Sequence, residues 1–279
     1  MKLLILGGKG MAGHILVSYF QRKPEYTVYY TSRNPKDQDA IYLDVTNQAK
    51  LEETIEGLEP DIIINCIGLL NQKAEDNPQL AFQINSILPH QLAKLAERHN
   101  GKLIHISTDC VFSGKKGSYT ENAPPDGTSV YSQTKKAGEV IDDKHLTIRT
   151  SIIGPELKED GIGLFLWFMR QKGQIYGYER VYWNGVTTLE LAKAVESLMK
   201  AEVTGLYHLG MEEKISKLDL LKLIQIIFKK EDVEITPHSQ IVLDRTIKNT
   251  RKDFVHHLPN YESMLLELKE WMNDNEEPS

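Results

Sequence analysis

Short apolar runs alternate with amphipathic stretches along the first half of the chain. The apolar runs are rich in β-branched side chains, which is typical of buried strands. They lie at 2–7, 26–32, 40–45, 61–68, 102–108 and 146–150. Helical periodicity marks the segments between them, at 11–20, 48–58, 79–99 (interrupted or restarted near Pro89) and 129–141. Alternating strands and helices predict an α/β fold, with a parallel sheet that helices cover on both faces.

The pattern changes after residue 150, where it becomes mainly helical. Helices are predicted at 162–173, 187–200, 216–230 and 263–274, with one short strand at 205–210. No Pro-, Gly- or Ser-rich linker separates the two halves. We therefore predict a first region at 1–150 that carries the sheet, and a smaller second region at 151–279. Residues near 185–205 are expected to pack back on the first region.

Composition narrows the class of protein and its partners. The chain has 279 residues, of which 41% are hydrophobic and 26% charged, as in an ordinary globular protein. Its formal net charge of −6 argues against binding to nucleic acid or to an anionic membrane. No stretch reaches the roughly 18 apolar residues of a membrane span, and the start lacks the features of a signal peptide. We therefore expect a cytoplasmic protein.

The spacing of cysteine and histidine does not indicate a metal site. Cys66 and Cys110 lie in apolar, strand-like segments, where buried free thiols are more common than a disulfide or a metal pair. Free thiols suit a reducing compartment. The nine histidines show no metal-ligand spacing, so no required metal is predicted.

A glycine pattern joins the first predicted strand to the first predicted helix. Gly7, Gly10 and Gly13 are spaced GxxGxxG. The first glycine allows a sharp turn, the second lets backbone approach a pyrophosphate, and the third lets the helix pack close to the sheet. The helix N-terminus then faces the phosphates. This strand–turn–helix context predicts a dinucleotide-binding site.

The residues after the second strand favour NADPH over NADH. An NAD site typically has a carboxylate there for the ribose hydroxyls, whereas this chain has Thr31, Ser32 and Arg33. Hydroxyls and a guanidinium suit a 2′-phosphate. NADH stays open as the alternative, because Arg33 could equally be a solvated loop residue. Asp44 is either an acceptor for the adenine amino group or a turn or N-cap residue.

Three side chains form a candidate chemical centre. Tyr131 and Lys135 are four residues apart on a predicted helix and share a face. An ammonium group nearby, together with an oxidised nicotinamide, favours the phenolate of a tyrosine and lets it exchange a proton near neutral pH. Thr108 ends a parallel strand, at the edge where such sheets bind ligands. Its hydroxyl can polarise a carbonyl, and Ser107 is the second choice for that role.

These segments resemble a known family. The stretches "LILGGKGMAGHIL", "DIIINCIG", "STDCVFSGKKGSYTE", "YSQTKKAGE" and "DRTIKNTRKDF" are similar to the extended short-chain dehydrogenases/reductases, above all the dTDP-4-dehydrorhamnose reductases and related nucleotide-sugar reductases. The resemblance implies a Rossmann doubly wound sheet with a smaller C-terminal substrate-binding region. It implies reduction of the 4-keto group of a nucleotide-linked 6-deoxyhexose, in deoxysugar and polysaccharide biosynthesis. It also allows a homodimer.

The resemblance assigns roles residue by residue. It places the catalytic set at Thr108, Asp109, Tyr131 and Lys135, and Asn85 near the cofactor or in a structural role. The expected cofactor-binding residues are Gly7, Gly10, Met11, Gly13, Ser32, Arg33, Asp44, Val45, Cys66, Gly68 and Lys135. The expected substrate-binding residues are Asp109, Val111, Phe112, Trp183 and Arg245. Arg149, Arg180 and Tyr182 are further candidates for the diphosphate or a stacked ring.

Departures from the family pattern keep other functions open. The usual aromatic residue after "STD" is Cys110 here, and the segment at 163–185 differs from that expected of the rhamnose enzyme. A reductase of a UDP-linked 4-keto-6-deoxy amino sugar is therefore an alternative. A sugar-nucleotide epimerase or dehydratase is a second. A non-catalytic, NADP-binding regulatory subunit is a third, although the intact Tyr131 and Lys135 argue against it.

Overall fold

The computed structural model describes residues 1–276, so 277–279, at the end of the predicted second region, lie outside the described residues. The strands in chain order are β1 (Lys2–Leu6), β2 (Thr27–Ser32), β3 (Ile41–Tyr42), β4 (Ile62–Asn65), β5 (Lys102–Thr108), β6 (Leu146–Thr150), β7 (Ile152–Ile153), β8 (Gly173–Tyr178), β9 (Val181–Trp183), β10 (Val186–Thr187), β11 (Gly205–Leu209), β12 (Ile215–Ser216), β13 (Val233–His238) and β14 (Leu243–Asp244).

The α-helices lie between these strands. They are α1 (Met11–Gln21), α2 (Gln48–Leu58), α3 (Asn71–Asp76), α4 (Pro78–Ala81), α5 (Leu88–Arg98), α6 (Val130–Ala137), α7 (Leu164–Arg170), α8 (Thr188–Lys200), α9 (Lys217–Phe228) and α10 (Tyr261–Glu276). A π-helical segment, Phe82–Ile87, joins α4 to α5, and a short 3-10 turn, Asp109–Val111, follows β5.

The main sheet is parallel and has seven strands in the order β3-β2-β1-β4-β5-β6-β11. The order reverses at β1, which pairs with β2 on one side and β4 on the other. This is the doubly wound arrangement that the alternating pattern predicts, and the α/β Rossmann-type fold is confirmed. In such sheets ligands bind at the carboxyl ends of the strands, near the point of reversal.

The chain divides into two compact units. The first comprises Met1–Ser113, Pro124–Arg149 and Glu202–Tyr207, and the second comprises Gly114–Ala123, Thr150–Ala201 and His208–Ser279. Apolar side chains of β1, β4, α2 and α5 form a core of the first unit, with Leu4, Ile63 and Leu92 fully buried. A core of the second unit gathers α7, α9 and α10 around Phe168 and Ile224.

Local interactions move some predicted boundaries. The helix predicted at 129–141 ends at Ala137, because Gly138 follows as its C-cap. The helix predicted at 79–99 has the predicted restart near Pro89, because α5 begins at Leu88 and has Pro89 in its first turn, where proline's missing N–H is tolerated. Its irregular part is the π-helical segment one turn earlier. The short strands β8, β9 and β13 had no clear apolar pattern and were not predicted.

Among the described residues, no helix combines the length and the apolar character that a bilayer crossing requires.

Candidate active site

The glycine loop between β1 and α1 is held in a tight turn. Gly7 has a φ of +80°, which a side chain would strain, and its N–H donates to the Thr31 hydroxyl at 3.2 Å. A Cβ on Gly13 would lie 2.1 Å from the Gly7 carbonyl oxygen, so only glycine lets α1 approach the strand this closely. These two glycines have the roles that the sequence predicts.

The start of α1 fits a diphosphate group. Gly10 is the N-cap and provides no side-chain cap, and the first turn has no acidic residue. A Cβ on Gly10 would have only the Gly7 carbonyl oxygen within 4 Å, at 3.3 Å, so the space beside it is open. Met11 is the first residue of the helix. Free N–H groups at a helix N-terminus with an open approach are suited to phosphate oxygens.

The segment after β2 presents a guanidinium. The buried Ser32 hydroxyl accepts a hydrogen bond from the Asn34 N–H at 3.1 Å, whereas Arg33 is exposed. Asp44 accepts from the N–H and the hydroxyl of Thr46, at 3.0 and 2.8 Å. These hydrogen bonds lower the pKa of Asp44. Asp44 therefore forms a turn, while Asn47 is the N-cap of α2.

Asn85 ties the segment after β4 to α6. Its side-chain oxygen accepts from the Leu69 N–H at 2.8 Å, and its amide nitrogen donates to the Leu69 carbonyl at 2.9 Å. The same nitrogen donates to the Thr134 hydroxyl at 3.1 Å. Asn85 is fully buried in the π-helical segment, and a Cβ on Gly68 would lie 3.6 Å from its oxygen. Its contacts are those of a structural residue.

The end of β5 places Thr108 and Ser107 on opposite sides, as the strand alternation predicts. The Thr108 hydroxyl accepts from the Cys110 N–H at 3.0 Å and donates to the Asp109 carboxylate at 3.2 Å. The Ser107 hydroxyl donates to the buried Glu139 carboxylate at 2.8 Å. Val111 and Phe112, two expected substrate-binding residues, are buried in the core.

Helix α6 carries Tyr131 and Lys135 and is fixed at its start. Ser129 caps it by accepting from the Ser132 N–H at 3.1 Å, and the Ser132 hydroxyl donates to the Cys110 carbonyl at 2.6 Å. Lys135 is 3% exposed, and its Nζ donates to the Ile106 carbonyl at 2.8 Å. The helix is thus attached to the turn that directly follows Thr108.

Tyr131 lies close enough to Thr108 for the two hydroxyls to interact. Desolvation raises the pKa of Tyr131, and Cys110 and Asp109 add to this, while the Thr108 hydroxyl lowers it in part. The sequence predicted a tyrosine that favours the phenolate with a cofactor present. In the protein itself the pKa of Tyr131 is raised, so the phenol keeps its proton at neutral pH and is suited to donating it.

Two further groups at this edge have shifted pKa values. Desolvation lowers the pKa of Lys135 to about 8, against the attraction of Glu139 and Cys66. Desolvation raises the pKa of Cys66 to about 12, so its thiol is neutral and unreactive. Lys135 is therefore the group here whose charge changes nearest to neutral pH.

Arg149 is not available to a diphosphate in this structure. It is buried, and its Nε and terminal nitrogen each lie 2.7 Å from a carboxylate oxygen of Glu139. Its guanidinium also lies 5.2 Å from the centre of the Phe112 ring. The sequence made Arg149 a candidate for binding the diphosphate, but its positive charge is paired with the Glu139 carboxylate within the first unit.

The candidates of the second unit differ in exposure. Trp183 is 5% exposed, and its indole N–H donates to the Ser151 hydroxyl at 2.9 Å, so it belongs to the core. Tyr182 is half-buried, with the Lys214 ammonium 4.1 Å from its ring centre. Arg180 is exposed and Arg245 half-buried. A substrate role for these residues stays a prediction.

Sequence reasoning gave no functional role to three buried polar residues at this edge, although His105 was expected in the core. Asn65, His105 and Glu139 lie 0%, 0% and 9% exposed. The sequence did contain a signal for two of them, since Asn65 and His105 each interrupt an otherwise apolar strand. A polar group buried in such a strand needs a hydrogen-bond partner. Among the described residues, no cluster of three metal-ligating side chains is found.

The fold and the glycine loop together define a protein of the Rossmann-type, dinucleotide-binding class. The sequence model of the RmlD substrate-binding domain matches residues 1–274. The chain belongs to the RmlD substrate-binding domain family, which confirms the resemblance seen in the sequence.

Individual relatives share parts of the chain or all of its fold. The chain is 32% identical to a dTDP-4-dehydrorhamnose reductase of Salmonella typhimurium over 178 residues, which cover 60% of this chain and 59% of that protein. It is 23% identical to a methionine adenosyltransferase 2 subunit beta of Xenopus tropicalis over 235 residues, covering 78% and 70%. The chain spans about half to three-fifths of the length of the first curated relatives it matches.

A crystal structure extends the likeness to the whole fold. The dTDP-4-dehydrorhamnose reductase of Bacillus anthracis, in complex with NADP, superposes with a TM-score of 0.79 at 21% identity. The match covers 97% of this chain and 99% of that chain. At this identity the likeness establishes the fold.

Proposed function

We propose that the protein is an NADPH-dependent reductase of the 4-keto group of a nucleotide-linked 6-deoxyhexose. The observation that carries the proposal is the meeting of Thr108 and Tyr131 at the carboxyl end of β5, with Lys135 on the same helix as the tyrosine. The glycine loop that fits a diphosphate lies at the same edge of the parallel sheet. The dTDP-4-dehydrorhamnose reductases among the relatives support this substrate class.

Each side chain has a defined task in the proposed reaction. NADPH, when bound, would supply the hydride that the carbonyl carbon accepts. The Thr108 hydroxyl polarises the carbonyl oxygen, and the Tyr131 phenol gives that oxygen its proton, so that the ketone becomes an alcohol. Lys135 would hold the ribose hydroxyls of the dinucleotide. As an ammonium group it would also favour the phenolate left on Tyr131.

Arg33 and the missing carboxylate after β2 support NADPH rather than NADH. The guanidinium of Arg33 is exposed and can meet a 2′-phosphate. The relative from Bacillus anthracis was crystallised with NADP. A large preference for NADH in the assay below would contradict this part of the proposal.

The test is oxidation of NADPH and NADH with a panel of dTDP-, UDP- and GDP-linked 4-keto-6-deoxy sugars. Tyr131→Phe is compared with wild type and with Tyr176→Phe, which alters a 61% exposed tyrosine of the second unit. We expect one sugar to be reduced, with a loss of roughly 10²–10⁴-fold in kcat for Tyr131→Phe only. A loss under about tenfold would contradict the role of Tyr131.

The panel also separates the substrate alternatives. Turnover of a UDP-linked amino sugar in place of the dTDP sugar would keep the reaction and change the substrate. Sugar conversion without net loss of NADPH would indicate an epimerase instead.

A second candidate is a non-catalytic, NADP-binding regulatory subunit. The observation that favours it is the similarity to the Xenopus tropicalis methionine adenosyltransferase 2 subunit beta, which extends over 78% of this chain. Tight dinucleotide binding, measured by calorimetry, with no turnover of any sugar in the panel would support this candidate over the reductase.

A further inference from the structure

Three buried polar side chains form a row behind the chemical centre. Asn65 at the end of β4 pairs in register with His105 of β5, and their amide and ring nitrogens, Nδ2 and Nδ1, are 3.2 Å apart. The other ring nitrogen of His105, Nε2, lies 3.2 Å from the Nζ of Lys135. Asn65 and His105 are 0% exposed and Lys135 is 3% exposed. Each nitrogen therefore needs a compatible partner within the protein.

A backbone group fixes the direction of the first hydrogen bond. The Ile67 N–H lies 3.1 Å from the side-chain oxygen of Asn65, and a backbone N–H can only donate. The Asn65 oxygen is therefore the acceptor on that side, and its NH₂ group faces His105. The Asn65 NH₂ donates to Nδ1 of His105, which must accept.

The ring of His105 stays neutral and is therefore held in one tautomer. Desolvation lowers the pKa of His105 well below its ordinary value, and the charges of Lys135 and His90 act in the same direction. A neutral imidazole has one donor and one acceptor nitrogen. Because Nδ1 accepts, the ring proton lies on Nε2, which faces Lys135.

An ammonium group at Lys135 would oppose this proton. An ammonium has three donors and no acceptor, so two donors would meet across 3.2 Å. A neutral amine can accept from Nε2–H through its lone pair and still donate to the Ile106 carbonyl at 2.8 Å. The neutral amine satisfies every hydrogen bond in the row.

We propose that His105, oriented by Asn65, is a positioning residue that favours the neutral amine of Lys135 over the ammonium in the cofactor-free protein. His105 thereby sets the pH range over which Lys135 gains its proton. The proposal rests on the proposed function only for the task of Lys135. The tautomer and the charge are properties of the protein without cofactor or substrate.

The other groups that face Lys135 favour its ammonium form and so oppose the effect of His105. Glu139, four residues along the chain, and Cys66, after β4, both raise the pKa of Lys135, while desolvation lowers it to about 8. His90 acts on His105 rather than on Lys135. The hydrogen bonds of His105 lower the pKa of Lys135 in addition to desolvation. Substituting His105 removes these hydrogen bonds without exposing the lysine.

The first measurement is an NMR titration of the full chain without ligands. Nitrogen-15 shifts of the histidine ring report the tautomer of His105, and carbon-13 shifts of the lysine Cε report the charge of Lys135, with Lys135→Arg as the assignment variant. We expect a Lys135 midpoint near 8 and, at pH 9, where the amine is mostly neutral, the Nε2–H tautomer. A proton on Nδ1, or a Lys135 that stays charged above pH 10, would overturn the proposal.

Two variants separate the hydrogen-bond row from burial alone. His105→Gln puts a freely oriented amide beside Lys135, so its oxygen can accept from the ammonium, and the Lys135 midpoint should rise by about one pH unit or more. Asn65→Asp should reverse the direction of the hydrogen bond to His105, because a carboxylate accepts from both the Ile67 N–H and the His105 ring. The ring proton should then move to Nδ1. Asn100→Asp adds the same charge at an exposed site and should change neither signal.

An unchanged Lys135 midpoint in a folded His105→Gln protein would overturn the positioning role. If this variant does not fold, the wild-type tautomer decides the matter alone. None of these readouts needs a substrate, so a failure of the reductase assay and a failure of this proposal are distinguishable. If the reductase is active, the high-pH limb of its kcat/KM profile should shift with the Lys135 midpoint in His105→Gln, because the proposed reaction uses Lys135 as an ammonium.

Discussion

At the scale of single residues, the first unit depends on a buried ion pair. Glu139 and Arg149 have side chains that are 3% exposed, and the guanidinium meets the carboxylate at two points. The Ser107 hydroxyl completes the set of donors to the carboxylate. A buried charge is tolerated only when it is paired and hydrogen-bonded, so each member of this pair is required by the other.

Glu139→Gln should therefore destabilise the protein strongly. Its neutral amide leaves the Arg149 guanidinium buried without a counter-charge, and we expect a loss of about 3–5 kcal/mol in the free energy of unfolding. Chemical denaturation measures it. Glu53→Gln is the matched control, since Glu53 is exposed and its pairing with Lys50 should be worth under about 1 kcal/mol.

The double variant Glu139→Gln/Arg149→Met removes both charges and should recover much of the lost stability. Equal stability of Glu139→Gln and Glu53→Gln would show that the buried pair does not support the fold.

At the scale of secondary-structure elements, the close contact of α6 with the π-helical segment positions the chemical centre. A Cβ on Gly138, the C-cap of α6, would lie 1.9 Å from the Asn85 carbonyl oxygen. The Ser86 hydroxyl donates to the Thr134 carbonyl at 2.8 Å in the same contact. π-helical turns inside helices are frequent at functional sites, and here the turn brings Asn85 to α6.

Gly138→Ala should push these two elements apart. The added methyl group meets backbone, which cannot rotate away, and we expect a destabilisation of about 1–3 kcal/mol by chemical denaturation. Gly57→Ala is the matched control in α2, because nothing lies within 4 Å of its added Cβ. It should stabilise by about 0.4–1 kcal/mol. Similar effects of the two substitutions would contradict the close packing of α6.

At the scale of the whole molecule, the chain leaves the first unit and returns to it. Glu202–Tyr207 belongs to the first unit, although the segment directly before it, Thr150–Ala201, belongs to the second. The returning segment supplies β11 at the edge of the sheet, and the Gly205 N–H donates to the His145 carbonyl at 2.7 Å. The side chain of Lys102 also donates to the Val203 carbonyl at 2.5 Å.

A shortened chain that ends at residue 150 should therefore fold poorly. It lacks β11 and leaves the fully buried strand β6 as an unpaired edge, which favours aggregation. We expect no cooperative unfolding transition by circular dichroism. Adding residues 201–209 after a flexible linker of at least about a dozen residues should restore cooperativity, because parallel strands need such a crossover. Cooperative unfolding of residues 1–150 at the midpoint of the full chain would contradict this.

The sequence by itself determined the elements and the local parts of the site. The glycine spacing predicted the phosphate loop, because strand, turn and helix are contiguous there. The four-residue spacing of Tyr131 and Lys135 predicted a shared helix face, because helix geometry is local. The alternation along β5 separated Thr108 from Ser107 for the same reason.

Only the tertiary structure decided the partners of the buried polar groups. His105 meets Asn65 because β4 and β5 are neighbours in register, and it meets Lys135 because α6 packs on that sheet. The salt bridge that uses the Arg149 charge joins β6 to the residues after α6. These contacts join residues up to 40 positions apart, and a local pattern cannot reveal which strands become neighbours. Burial then makes such contacts obligatory, since a polar group without water must find its partner in the fold.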